Sequence, residues 1–481
     1  MGFIAFRTAM AGMTALTPQE AYYWTWSRFP DISYYDHPPL VSYSIGITTW
    51  IFGNTTFGVK MAAVLWSLGW NLLWLRLIRD MFDDPRLAWW SLLVLNSTLL
   101  YELYALGPTP DAPLLFGWTG TLWAVWRATH SRGLGWWLLA GIFLGTALLG
   151  KYSAILLLPA VGLYLLAPSR RPWLLHPGPW LALALALLLF APVLYWNAQH
   201  DWSSLAFQSS RRLGEMSALK PRFFALLLAT QTLLLTPWVM WLSLRGLWGA
   251  GRAVLASHAD AATTLLWCSA LVPLAVFGSA SFLANGKLNW LIPAWWPLVV
   301  LGLRQSLSRP AAGLWRPLGL ASTLALLLAA SVLVTQADMK LPADLNVASG
   351  WRQAAARVDE QIAAERLAGR RAFVFSPNYK ISSLIWIHRP SQERTYSSDI
   401  WGGKSLQYDH FPKDENLAGA TGFLVLSDQA QSNIDMTEVA RRFESLEWVE
   451  TMETRSRGAL VRRIEIWRGE NYAGSAAQSG N

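Results

Sequence analysis

The sequence predicts a mainly α-helical, polytopic membrane protein with about eleven transmembrane helices and a small C-terminal α/β domain on the outer face. Three observations predict it. Hydrophobic residues make up 53% of the 481 positions and charged residues 14%, where an average soluble chain carries about 25% charged residues. Long apolar runs alternate with short loops that carry arginine, the pattern of membrane helices and their cytoplasmic ends. From about Ala343 the composition turns polar, and short strand-like stretches follow.

The first apolar segment, residues 3–16, contains Arg7. A spanning helix needs about 20 apolar residues. The segment is therefore expected to be the end of a truncated first helix, or a short and poorly inserted one. No basic n-region precedes a longer apolar core, which argues against a cleaved signal peptide.

A polar island follows, Thr17–Leu40, reading TPQEAYYWTWSRFPDISYYDHPPL. It sets Glu20, Asp31, Asp36 and His37 among tyrosines and tryptophans. Carboxylates kept beside a membrane segment are functional candidates by default. Pro18 behind Thr17 predicts a capped helix with Glu20 in its first turn, where helix-dipole complementarity is the alternative reason for the charge. Pro38 and Pro39 preclude an ordinary helix and hold Asp36-His37 on a stiff segment. Such a pair suits a divalent metal, a phosphate or a substrate hydroxyl. Alone it falls short of a metal site, so Asp36 is only a candidate ligand. Tyr22, Tyr23 and Tyr35 are the candidate substrate-binding residues.

Val41–Phe52 is too short to span and reads as an interfacial helix. Crossings are expected near Val59–Leu77, Leu87–Tyr104, Ala112–Trp126, Trp136–Leu149, Ala154–Leu166, Trp180–Trp196, Phe223–Leu242, Thr263–Phe277, Leu288–Leu303 and Leu314–Val334. With this count Arg76, Arg79, Arg86, Arg127, Arg132, Arg170, Arg171, Arg245, Arg252, Arg304, Arg309 and Arg316 share one side. That is a positive-inside pattern, and it places the island on the outer face. Residues 1–338 form the expected membrane domain, with 17–58 as its outer catalytic loop. Residues 339–473 form the outer α/β domain, and 474–481 a disordered tail rich in Gly, Ser, Ala and Gln. Within the outer domain Gly350–Arg371 reads as an amphipathic helix. Ala372–Phe375 is a short apolar run, and Thr421–Leu426 and Gly458–Trp467 read as strands.

Some basic residues fall on the outer side against the rule. Lys151 stands at the apex of a tight hairpin, in LLGKYSA, and Lys287 precedes a crossing, in NGKLNWLIPAWWP. Ammonium groups there suit a lipid-linked phosphate, with snorkelling to headgroups as the alternative. Arg211 and Arg212 lie in the 198–222 loop and read as a phosphate fork or as solvated charges. Asp111, in TPDAPLLF, is either a helix cap or a second functional carboxylate.

The composition also excludes functions. The net charge of +9 comes without any nucleic-acid-binding motif, and its arginines follow topology instead. The single Cys268 rules out an intrachain disulfide framework or a cysteine metal site. No P-loop, HExxH or G-x-S-x-G sequence occurs, so nothing supports an ATP or nucleotide-sugar site.

The segments PQEAYYWTWSRFPDISYYDHPPL, FGNTTFGVKMAAVL, GPTPDAPLLFGW, LLGKYSAILLLPA, YWNAQHDWSSLAFQ and GKLNWLIPAWWPL occur in this order. In them the chain resembles the bacterial family 39 glycosyltransferases, relatives of the dolichyl-phosphate-mannose protein mannosyltransferases and of the lipid A aminoarabinose transferase. The resemblance implies a GT-C fold and an inverting transfer from a polyprenyl-phosphate-linked sugar to an envelope lipid, glycan or protein. It implies an active site at the outer face of the bacterial inner membrane, with membrane lipids around it and no nucleic-acid partner. No cofactor is required, although a divalent metal is compatible. A carboxylate of the first outer loop would deprotonate the acceptor, and basic residues would hold the leaving phosphate. The family often has Asp-Glu where this chain has Gln19-Glu20. Glu20 is thus the replacement base, with Asp36 second. By family position Asp36 has a metal-binding role and His37 lies near the phosphate, where the aminoarabinose enzymes have Glu-Lys. Lys60 stands where Arg is frequent. A lipid-linked-sugar transporter and an inactive relative serving as an assembly factor are the competing readings; a transporter would place its site near the midplane.

Overall fold

The computed structural model describes residues 1–131, 133–215, 219–308, 315–335, 350–413, 417–428, 434–456 and 459–474. Helices dominate up to residue 335. They are α1 (Gly2–Met13), α2 (Pro18–Ser27), α3 (Leu40–Phe52), α4 (Thr56–Phe82), α5 (Pro85–Ser97), α6 (Leu99–Leu106), α7 (Asp111–Ser131), α8 (Leu134–Gly150), α9 (Leu157–Leu166), α10 (Pro177–Gln199), α11 (Ser203–Glu215), α12 (Pro221–Leu235), α13 (Pro237–Leu255), α14 (Ala261–Ala280), α15 (Ile292–Leu307) and α16 (Trp315–Thr335). The chain divides into two compact units. One holds Met1–Met10, Asp31–Val41 and Lys60–Val332; the other holds Ala11–Pro30, Ser42–Val59 and Leu333–Asn481.

In the first unit, four helices among the described residues are long and apolar enough to cross a membrane: α4, α10, α14 and α16. The pair α12 and α13 passes the same test together but is bent by 113°. The crossing expected as one run at Phe223–Leu242 is thus two helices with a sharp break between them. The break falls at Thr236, whose φ is +77°, immediately before Pro237. Proline disfavours helical geometry in its predecessor and cannot donate to the turn behind it. The expected Leu87–Tyr104 crossing is likewise divided at the extended Thr98, between α5 and α6. The last crossing but one starts at Ile292 rather than Leu288. At 13 residues α3 is too short to span, as expected.

Tryptophans are prominent in the core of this unit, and some of them donate their N–H groups to buried hydroxyls. Trp74 meets Trp296 edge-on at 4.4 Å and donates to Ser91 Oγ at 2.9 Å, and Trp70 donates to Thr119 Oγ1 at 2.8 Å. Where α13 crosses α15, a Cβ on Gly246 would strike the Leu298 carbonyl, and one on Gly302 the Leu242 carbonyl. Only glycine lets the two backbones approach this closely. Arg7, the unexplained charge of the first segment, is fully buried in α1. Its guanidinium donates to Glu102 Oε2 at 2.9 Å from Nε and reaches Ser67 Oγ at 3.4 Å. The pair lets a short apolar helix carry an arginine.

In the second unit, α17 (Trp351–Leu367) ends at a left-handed Gly369 with φ +75°. It is followed by β1 (Ala372–Phe375), α18 (Tyr379–His388), β2 (Thr395–Tyr396), β3 (Thr421–Ser427), α19 (Met436–Ala440), β4 (Ser445–Ser456) and β5 (Ala459–Glu470). The sheet order is β2-β1-β3-β5-β4. β1 runs parallel to β2 and β3, with Val374 opposite Phe423; β5 is antiparallel to β3, with Ile466 opposite Val425. The expected helix and two strands, β3 and β5, are present, and the short apolar run Ala372–Phe375 is the strand β1. β4 was not expected, because register shifts at Trp448/Glu450 and Thr454/Arg455 break its alternation. The expected tail residues 475–481 lie outside the described residues.

The island helix α2 belongs to this unit. Thr17 and Glu20 form a full capping box, and Pro18 occupies the first turn, as the sequence predicts. Tyr22 packs on Tyr379 at 4.7 Å and stacks parallel to Tyr408 at 6.5 Å. Trp24 meets Trp386 edge-on at 5.7 Å and donates to Asn54 Oδ1 at 3.1 Å.

Candidate active site

In the first unit the structure brings Asp111 and Lys151 together. Asp111 opens α7, and its carboxylate does not cap that helix. Its Oδ1 accepts from Lys151 Nζ at 2.7 Å, and its Oδ2 accepts from Asn289 Nδ2 at 2.8 Å. The aspartate side chain is 2% exposed and the lysine 10%. The local cause is legible. Helix α8 ends at Gly150, where a Cβ would come within 2.9 Å of the Leu114 amide nitrogen, so a glycine lets the two helix ends close. Lys151 then leaves α8 in an extended conformation, φ −158° and ψ 137°. Two opposite charges can be buried here because each is paired and hydrogen-bonded. The ammonium is fixed in place, and an arriving phosphate would meet an oriented cation.

Asn289 was missed from the sequence, which drew attention to Lys287 two positions earlier. The signal was an amide immediately before an apolar helix in GKLNWLIP. Glu102, partner of Arg7, was also missed, because a single carboxylate in LLYELYAL resembles a surface charge.

The other predicted residues are placed as follows. Asp36 is 6% exposed, and its backbone carbonyl accepts from Gln208 Nε2 of α11 at 2.5 Å. His37 is half-buried beside it on a non-helical segment, as Pro38 and Pro39 require. Among the described residues no group of three His, Cys, Asp or Glu side chains gathers that could hold a metal ion. Tyr35 is half-buried against Phe207 at 4.8 Å. Lys60, in α4, is 3% exposed, while Lys287 is exposed in the loop before α15. Arg211 and Arg212 fall in α11, and their side chains lie outside the described residues.

Glu20, in the second unit, is 3% exposed; its Oε2 accepts from the Thr17 N–H at 2.7 Å, completing the capping box. Tyr22 and Tyr23 are buried. Tyr22 Oη accepts from the Gln407 backbone N–H at 2.9 Å, so this tyrosine pins α2 to its unit.

Residues 36–196 match the model of the dolichyl-phosphate-mannose-protein mannosyltransferase family. A lipid A galacturonosyltransferase, RgtD, from Rhizobium johnstonii is 25% identical over 451 residues, covering 88% of this chain and 89% of that protein. An undecaprenyl phosphate-α-4-amino-4-deoxy-L-arabinose arabinosyl transferase from Pseudomonas aeruginosa is 30% identical over 300 residues, or 58% of this chain. The chain spans about half the length, 51%, of that arabinosyl transferase. Among solved structures, ArnT from Cupriavidus metallidurans superposes with a TM-score of 0.61 at 14% identity, covering 97% of each chain in its apo state. The same protein bound to undecaprenyl phosphate also superposes at 0.61, covering 96% of this chain and 97% of that one. The comparisons agree with the resemblance read from the sequence: this chain has the GT-C fold of ArnT and is similar to lipid A galacturonosyltransferase and to the aminoarabinose transferases, with the family match carried by residues 36–196.

Proposed function

We propose that the protein transfers a sugar from a polyprenyl-phosphate donor to an envelope acceptor, with lipid A as the leading candidate. The observation that carries this reading is the buried Asp111–Lys151–Asn289 cluster: it presents an oriented cation to a lipid-linked phosphate in a chain similar along most of its length to a lipid A galacturonosyltransferase. The leaving polyprenyl phosphate is already a stable anion. The enzyme therefore needs positioning, one base and charge stabilisation.

In this proposal Lys151, with Lys60, Lys287 and the Arg211-Arg212 pair, holds the leaving phosphate. His37 serves the same phosphate, and Asp111 orients Lys151. Glu20 takes the acceptor proton, with Asp36 as the second candidate. The transfer inverts the anomeric centre at the outer face of the inner membrane, in a domain of about eleven crossings. A divalent metal at Asp36 stays outside the proposed steps, because the described residues gather no ligand set for it.

Purified protein in lipid is to be given undecaprenyl-phosphate-linked galacturonic acid or aminoarabinose together with lipid A, and the products weighed by mass spectrometry. A lipid A gaining one sugar supports the reading. Tight donor binding with no transfer to lipid A, another glycan or protein would overturn it. That result would favour the second reading, an inactive assembly factor, which Gln19 and the capping engagement of Glu20 both favour.

A further inference from the structure

The second unit contains a cavity of about 520 Å³ that plays no part in the proposed transfer. Arg366, Arg370, Arg371, Arg389 and Arg394 line it, against one carboxylate, Glu393. It opens at the end of the sheet where β1, β2 and β3 begin. It lies entirely within the C-terminal part of the chain, between Ile362 and Ala420.

The guanidinium groups are held from behind. Arg389 is 2% exposed; its Nε donates to Asp359 Oδ1 at 2.6 Å, and its NH1 donates to the Glu393 and Arg394 carbonyls. Arg394 lies 4.6 Å from the centre of the Tyr396 ring and donates to the Pro412 carbonyl at 2.6 Å, while its buried Nε has no hydrogen-bond partner in the protein. At the rim, Arg366 grips Glu393 with a two-pronged fork at 2.9 and 2.7 Å. Arg370 pairs with Glu365, and Arg371 donates to the Ala418 carbonyl at 2.7 Å. Arg366 and Arg370 remain 50% and 55% exposed.

Ion pairing alone accounts for Arg366 and Arg370 near the C-terminus of α17, where cations complement the helix dipole. It also ties Arg389 to Asp359 and Glu393, and Arg394 to Asp399, yet the open volume itself is lined by five arginines and a single carboxylate, and the buried Arg394 Nε has no partner in the protein. Planar, oriented guanidinium groups are the side chains that hold phosphate oxygens two at a time. Ile362, Phe373, Tyr396 and Leu417 supply an apolar and aromatic floor beside them, a surface suited to the face of a sugar ring. The volume falls within the ordinary range of ligand sites, about 300–1,000 Å³.

We propose that this cavity binds the phosphate group of a phosphorylated saccharide. The proposal stands independently of the transfer reaction. A soluble sugar phosphate and the headgroup of a phosphoglycolipid present the same chemistry, and the experiment separates them.

The full chain, purified in a neutral detergent, is titrated with three probes: a bisphosphorylated glucosamine disaccharide, the same disaccharide without phosphate, and acylated lipid A in the same micelles. The phosphorylated disaccharide is expected to bind, and Arg370→Gln/Arg371→Gln to weaken it by about tenfold or more, the scale of lost charge-assisted hydrogen bonds. Arg366→Gln, on a half-exposed side chain, is the second variant and is expected to weaken binding several-fold while leaving the unfolding midpoint in place. If lipid A alone binds and the variants release it, the source is a glycolipid headgroup. If both phosphorylated probes bind, the phosphorylated sugar suffices. Equal affinity for the phosphorylated and unphosphorylated disaccharides, with no effect of either variant on lipid A, would overturn the proposal.

Discussion

Lys151 Nζ lies 2.7 Å from Asp111 Oδ1, and both side chains are buried among apolar helices. The two residues are forty positions apart, and the junction of α8 with the start of α7 brings them together. Neither charge is stable there without the other.

Breaking the pair from one side is therefore costly. Lys151→Ala is expected to destabilise the protein by about 3–5 kcal/mol, because it leaves a buried carboxylate uncompensated. Replacing both partners, as Asp111→Leu/Lys151→Met, is expected to restore most of the stability and none of the sugar transfer. Thermal unfolding in detergent and a transfer assay check the two halves. Recovery of transfer in the double variant would show that the pair is only structural.

Asn289→Ala removes one of the two donors to Asp111 and leaves the ion pair intact. Transfer is expected to fall by about tenfold, with a loss of only about 1 kcal/mol in stability, the net scale of one hydrogen bond. A fall in apparent donor affinity with unchanged turnover would place the effect on phosphate binding.

Glu20 has two separable jobs. Glutamine can still accept the Thr17 N–H in a capping box but cannot take a proton. Glu20→Gln is expected to fold normally and to lose transfer by about 10²–10⁴-fold, the scale of general-base catalysis. Full activity in that variant would move the base to Asp36.

Tyr22→Phe tests the packing role. It removes the acceptor of the buried Gln407 N–H and is expected to cost about 1–3 kcal/mol. An unchanged unfolding midpoint with a raised KM for acceptor would instead return Tyr22 to the substrate.

Asp399, in the second unit, gives a pH signature. Burial pushes its carboxyl up to about 6, against the lowering effects of Arg394, the Ser397 N–H and Lys413, while Asp409 adds to the rise. The folded state then holds a proton that the unfolded chain releases near its ordinary value of about 3.9. Stability from this group is full below that value and declines as pH rises through about 6. Asp399→Asn is expected to flatten that decline and to raise the midpoint at neutral pH, measured by thermal unfolding across pH 4 to 7, about the span of the two values. An unaltered slope would remove Asp399 as its source.

The sequence by itself determined the membrane class, the family resemblance and the local chemistry of single segments. Apolar run length, arginine placement and the Thr17-Pro18-x-Glu20 cap are written in neighbouring residues, and local rules read them. The helix at Gly350–Arg371 and the strands β3 and β5 were legible for the same reason. Tertiary structure decided what depends on distant partners. Asp111 reads as a helix cap until Lys151 and Asn289 arrive from elsewhere in the chain, and Arg7 reads as a flaw in a short helix until Glu102 pairs with it. Tyr22 reads as one of a row of aromatics until the fold brings Gln407, 385 positions away, to donate its N–H to the tyrosine hydroxyl. The bend at Thr236 was present as Thr-Pro, but hydropathy passes smoothly over a proline, whereas the backbone does not. Composition and periodicity record what one residue prefers; which buried charge meets which is set by packing, because only there does the absence of water make the pairing obligatory.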